Sequence, residues 1–210
     1  MTASTIALHL RPTPAGLAVL TMLEECGLPY TLSTEDHACD EPWPAADAEP
    51  SAPPPTLVDA DGQAVALSEA ATILLYLADK TGRWMPSAPS GRYAVLQWLM
   101  FQQGSLGPVL AQARHFRHEA PAPVAYAIER YTLEARRLYA TMERQLSEHA
   151  FIAGPDYSVA DIAIFPWLRG WREQGILWAE HPRVHAWFER IAARPAVQRS
   201  LRIAAPRPAP

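Results

Sequence analysis

The chain has 210 residues, with 18 Lys and Arg against 22 Asp and Glu, a formal charge of −4, and 49% hydrophobic residues. That length buries a sizeable core as one large domain or two small ones, and the near balance of charge excludes a general polyanion-binding surface. Its two cysteines, Cys26 and Cys39, are too few and too far apart for a disulfide framework, a C-x-x-C redox pair or a cysteine-rich metal site, so a reducing compartment is the default.

Residues 1–12 combine neither a basic n-region nor a long apolar run, so neither a signal peptide nor a membrane anchor is expected, and a cytoplasmic, soluble protein is. Residues 6–10 form a short apolar run closed by Arg11-Pro12, which reads as a buried strand. Thr13-Pro14 then reads as an N-cap with proline at the first helical position. Val19, Met22, Leu23 and Cys26 recur on one face of that helix before Gly27 stops it. Residues 30–33 suit a second strand.

Residues 33–54 carry Glu35, Asp36, Asp40, Glu41, Asp47 and Glu49 among five prolines, with His37 as the sole candidate cation, and predict an irregular excursion. Residues 56–58 and 64–67 flank Asp59-Ala60-Asp61-Gly62 as a hairpin. Ser68 is the expected N-cap of a helix whose stripe is Ile73, Leu74 and Leu77, ending near Gly82. The composition shift over residues 84–91 predicts a linker between an N-terminal domain, 1–83, and a helical one, 92–205, with a tail over 206–210.

Beyond the linker the spacing predicts helices over 93–104, 124–147 and 184–193, with a break at Gly107-Pro108. Between the last two, Ser158 and Asp161 form a capping box, with Tyr157 placed to staple onto Ile162; the helix they start is apolar on nearly every side and predicts a buried axis. His115 and His118 have no third partner placed by the sequence, so no metal is expected.

Several segments carry a resemblance: Arg11-Pro12-Thr13-Pro14-Ala15-Gly16, Ser68-Glu69 leading into Ile73-Leu74-Leu75-Tyr76-Leu77-Ala78, residues 96–108, residues 126–131 and the capped Asp161 helix. Together they resemble the glutathione transferase family, most nearly its bacterial nu-like group, whose members are similar to glutathione-using disulfide-bond reductases without a catalytic cysteine. The resemblance implies an α/β thioredoxin-like N-terminal domain followed by an all-α C-terminal domain, glutathione as co-substrate, a homodimer, and an electrophile or disulfide as second substrate, with neither nucleic acid nor membrane as partner.

The resemblance also implies a site. Thr13 would point its hydroxyl at the glutathione sulfur, though it reads equally as a plain N-cap, and the supporting Asn of the family is here Ala15. Pro55 matches the family's cis-proline, and the preceding residue, whose backbone would pair with the cysteinyl unit, is Pro54, which has no N–H to donate. Glu69 would meet the γ-glutamyl ammonium, while Ala70 stands where a serine would hold the carboxylate. Arg130 would contact glutathione, in some relatives across the dimer. Arg114, Phe116, Tyr126 and Trp167 would line the second-substrate pocket.

The lost N–H, hydroxyl and cation predict glutathione affinity lowered about a hundredfold or more. Three functions follow: glutathione-dependent thiol transfer or disulfide reduction at a partly degraded site, a non-catalytic dimeric binding or scaffold protein that binds glutathione weakly or not at all, or catalysis kept with a changed ligand, for which the acidic rim favours a cationic or neutral substrate.

Overall fold

A computed structural model describes residues 5–11, 13–33 and 55–205. The acidic excursion with His37, Cys39 and Pro54, and the tail from 206 to 210, lie outside the described residues. Four strands, β1 (Ile6–His9), β2 (Tyr30–Ser33), β3 (Thr56–Asp59) and β4 (Val65–Ser68), form one sheet in the order β2-β1-β3-β4. β1 runs parallel to β2 and antiparallel to β3, and β3 runs antiparallel to β4. The pairing sets Leu8 opposite Leu57, both buried, so the alternation of the strands turns one face to the core.

Helix α1 (Pro14–Cys26) starts where expected, with Thr13 extended as N-cap and Pro14 in the first turn, and stops at Gly27 in the left-handed region. Its residues from Gly16 to Leu23 are all buried because α1 packs on three helices: α2 (Ala70–Thr81), α6 (Val159–Leu168) and α8 (Pro195–Ile203). Ser68 does not cap α2. It is the last residue of β4, paired with Thr56, and the N-cap position falls to Glu69.

The helical half continues with α3 (Pro89–Phe101), α4 (Gly107–His118), α5 (Ala125–Gln145) and α7 (Pro182–Ala192). Pro89, within the segment read as a linker, already begins α3, and Trp84 and Met85 pack against the core. Gly107-Pro108 does not break the chain's helical course. Residues Gln102–Leu106 form a π-helical turn joining α3 directly to α4, and Pro108 falls in the first turn of α4. A proline inside a continuing helix has no N–H to give to the preceding turn, and the widened π turn sits where that bond is missing.

The capping box at the start of α6 is present and extends beyond the helix. Asp161, fully buried, accepts the backbone N–H and hydroxyl of Ser158 at 2.9 and 3.0 Å, the Ile152 N–H at 2.9 Å and the Trp187 indole N–H at 2.8 Å. Burial pushes its carboxyl above the ordinary range, against the pull of those donors. Tyr157 packs edge-on against Trp84 and Phe151. Eight of the ten helix residues from Val159 to Phe165 and at Leu168 belong to the apolar core or, as Asp161, to this network, so α6 is the buried axis the sequence implies.

Candidate active site

A cleft of about 800 Å³ opens between the two halves of the chain. The N-terminal half contributes Thr13, Ala15, Pro55, Glu69 and Ala70 to its lining, and the helical half contributes Arg114 and Trp167 among others. The structure thus gathers six residues named from the sequence as site residues, Thr13, Pro55, Glu69, Ala70, Arg114 and Trp167, around one space.

Thr13 is held by local geometry. Its Oγ1 accepts the Gly16 N–H at 3.1 Å, the capping bond that starts α1. A hydroxyl has two lone pairs and one proton, so this bond engages a lone pair and leaves the proton to donate into the cleft. Capping and ligand contact are therefore compatible roles for one side chain. The turn is tight: a Cβ on Gly16 would lie 2.5 Å from the Arg11 carbonyl oxygen and 3.2 Å from Leu10 Cβ, so only glycine brings the helix start this close to the end of β1.

Glu69 sits at φ +70°, a left-handed conformation that costs a non-glycine residue on the order of 1–3 kcal/mol. That conformation turns the chain from β4 into α2 and places Glu69 and Ala70 on the cleft. The first turns of α1 and α2 therefore converge on the same space, each presenting the positive end of its helix dipole and backbone N–H groups without helical partners. Such an arrangement holds negative charge. Pro55 is buried at the start of β3 and lines the cleft, while its preceding peptide bond involves Pro54, outside the described residues.

On the opposite wall, Arg114 Nε faces Glu119 Oε1 at 3.1 Å and Glu173 Oε2 at 3.0 Å. Trp167 reaches the cleft because Gly107, whose Cβ would stand 3.2 Å from its ring, leaves the room. Gln174, buried, fixes that wall: its Nε2 donates to the Trp167 carbonyl at 2.7 Å and its Oε1 accepts the Tyr139 hydroxyl at 2.9 Å.

Three named residues do not line this cleft. Phe116 stacks on Tyr131 with ring centroids 5.5 Å apart, Tyr126 is 71% exposed, and Arg130 donates to the Tyr126 hydroxyl at 3.4 Å. Among the described residues no group of three or more His, Cys, Asp and Glu side chains is placed to hold a metal ion. Cys26 is half-buried 3.6 Å from Thr81 Oγ1, and burial pushes its thiol up, away from the reactive thiolate range. Residues that sequence reasoning missed on the cleft are Gln103, Glu119, Arg169, Glu173 and Gln174. Arg169-Gly170 had a legible signal, a basic residue and a glycine where an apolar helix ends.

A strand-helix-strand unit with an antiparallel hairpin, followed by an all-helical half and a cleft between them, defines the thioredoxin-like transferase architecture. Residues 14–80 match the glutathione S-transferase N-terminal domain and residues 125–190 the C-terminal domain of the same family. The chain is 41% identical over 202 residues to the disulfide-bond oxidoreductase YfcG of Escherichia coli, covering 93% of this chain and 94% of that protein.

Among solved structures, a glutathione transferase family member from Pseudomonas fluorescens with two glutathione bound superposes with a TM-score of 0.82 at 35% identity, covering 94% of this chain and 92% of that one. A glutathione transferase from Pseudomonas putida with one glutathione disulfide bound per subunit gives 0.84 at 32% identity, covering 97% and 94%. The chain belongs to the glutathione S-transferase superfamily, with bacterial disulfide-bond oxidoreductases among its relatives.

Proposed function

We propose that the protein binds glutathione in the cleft and uses its thiolate to reduce disulfides. The observation that carries this reading is the convergence of two helix N-termini and the free proton of the Thr13 hydroxyl on one cleft. A thiolate placed there is stabilised by a hydroxyl donor and by the α1 dipole, which lowers the thiol pKa from its free value of about 8.5. Glu69 offers its carboxylate to an ammonium group, and the α2 N-terminus offers N–H groups to a carboxylate. Relatives that hold glutathione or its disulfide support the assignment.

The reaction balances with two glutathiones per disulfide. The bound thiolate attacks one sulfur of the disulfide, a new S–S bond forms, and the departing thiolate takes up a proton. A second glutathione thiolate then attacks the glutathione sulfur of the mixed disulfide and releases the second thiol, so glutathione is oxidised to its disulfide as the substrate is reduced. No protein cysteine is needed, in keeping with the half-buried Cys26, whose thiol burial pushes up.

A non-catalytic binding role is the second reading, favoured by Ala15 and Ala70, which present methyl groups to the cleft where hydroxyl or amide donors would strengthen the grip. A homodimer fits the exposed Tyr93 and Met100 on α3 and Tyr126 on α5, and sedimentation equilibrium is expected to give twice the chain mass, a monomer at all concentrations overturning it. The test of catalysis is the near-ultraviolet thiolate absorbance of bound glutathione against pH. The expected result is a thiol more acidic than free glutathione, with the shift lost in Thr13→Val; equal acidity in both proteins rejects the catalytic role of Thr13.

A further inference from the structure

Between Arg11 and Lys80 the sequence contains no Lys or Arg, and among the described residues the N-terminal half lines the cleft with no cationic side chain. The described residues lining the cleft include two guanidinium groups, Arg114 and Arg169, both from the helical half. They differ in commitment. Arg114 faces two carboxylates at once, Glu119 and Glu173, which together more than neutralise it. Arg169 is exposed at the C-terminal end of α6 and makes no ion pair or side-chain hydrogen bond among the described residues.

Three carboxylates, Glu69, Glu119 and Glu173, also line the cleft, so an anionic ligand meets net repulsion unless one cation is free to receive it. Arg169 is that cation among the described residues, and its backbone is anchored: Gln174 bonds the Trp167 carbonyl two residues before it, at the end of α6 from which Arg169 projects.

We propose that Arg169 is a specificity-determining residue of the cleft that binds a carboxylate of the thiol or disulfide acted on there. This rests on the glutathione reading above, and the carboxylate has two sources, glutathione itself or the second substrate. A guanidinium offers paired N–H donors in the geometry a carboxylate accepts, and such charge-assisted contact is expected to contribute about tenfold in affinity at a partly exposed site. A helix arginine placed only to complement the α6 dipole would instead be indifferent to ligand charge.

The experiment compares the wild type, Arg169→Gln and Arg169→Lys, with thermal melting confirming that each folds. Glutathione is titrated calorimetrically into each protein. The kcat/KM for 3,3′-dithiodipropionate, a dianion, is then divided by that for the neutral bis(2-hydroxyethyl) disulfide at fixed glutathione. Finally, dithiodipropionate alone is titrated without glutathione.

If the carboxylate is that of glutathione, its Kd rises about tenfold in Arg169→Gln; if it is that of the second substrate, the dianion-to-neutral ratio falls about tenfold and dithiodipropionate binding weakens alike. In either case Arg169→Lys retains most of the wild-type value. A change under twofold in all three measurements overturns the proposal. Absence of glutathione binding and turnover in the wild type overturns the glutathione reading, and the titration with dithiodipropionate alone still decides the role of Arg169.

Discussion

Thr13 and Gly16 work as one unit: the hydroxyl of the first accepts the N–H of the second, and the missing side chain of the second lets the turn approach the Arg11 carbonyl. A methyl group at 16 would overlap backbone oxygen, which cannot move aside as a flexible side chain can. Gly16→Ala is expected to lower unfolding free energy by about 2 kcal/mol and to disturb the Thr13 hydroxyl with it. Chemical denaturation measures the first effect and glutathione titration the second; a variant of wild-type stability and affinity contradicts this account. Thr13 was legible in the sequence both as a cap before a proline and, through the resemblance, as a hydroxyl aimed at a sulfur; the Gly16 bond adds that the cap uses the oxygen as acceptor, so the two readings do not exclude each other. Arg169 was not singled out, since its meaning depends on Arg114 being matched by Glu119 and Glu173, a pairing between distant parts of the chain.

Among the elements, α7 shows how a helix start is completed from outside. Its N-cap residue, His181, gives no side-chain cap, and Glu143 of α5 instead accepts the Arg183 N–H at 3.0 and 3.1 Å and the Val184 N–H at 2.9 Å. His181 is 5% exposed beside the Tyr139 ring, and neither of its ring nitrogens has a hydrogen-bond partner. Burial lowers its pKa below the ordinary 6.5, with Arg136 adding to that and Glu143 and Glu180 opposing it. Because the unfolded chain binds this proton more readily than the folded one, the contribution of a neutral His181 is present in full above pH 6.5 and is lost progressively as pH falls below it. Denaturation midpoints of the wild type are expected to fall on acidification through that window, with a shallower dependence in His181→Phe. An unchanged slope in the variant assigns the effect to other groups. The strands, α1 and the Asp161 cap were readable because each leaves a local pattern, whereas the π turn, an i→i−5 geometry, and the role of Glu69 as N-cap, which follows from Ser68 being taken into the β4 register, leave none that periodicity encodes.

At the scale of the whole molecule, α1 joins the two halves. Arg194, between α7 and α8, forms a two-point pair with Glu25 of α1 at 2.6 and 2.9 Å, and its guanidinium lies 3.8 Å from the centre of the Tyr157 ring. Thr21 meets Ser200 at 2.8 Å in the same interface. With one apolar core running through both halves, the chain is expected to unfold in a single transition, and Arg194→Ala, which strands the buried Glu25 carboxylate, to cost about 3 kcal/mol. Differential scanning calorimetry reads both; two separate transitions in the wild type contradict the shared core. The overall architecture was legible from local patterns and resemblance, while the cleft, built from residues more than 150 positions apart such as Thr13 and Gln174, was legible in its N-terminal half and, on the helical side, only at Arg114 and Trp167. No helix among the described residues is long and apolar enough to cross a membrane.

Glutathione binding in this cleft is proposed to depend on Thr13 despite the alanines at 15 and 70. Calorimetric titration of reduced glutathione into the wild type and Thr13→Val tests it most directly. Saturable binding of one glutathione per chain at the thiolate site is expected, with Kd on the order of 0.1–1 mM, and several-fold weaker binding in the variant. No saturation at ~10 mM glutathione, or equal affinity in the two proteins, contradicts it.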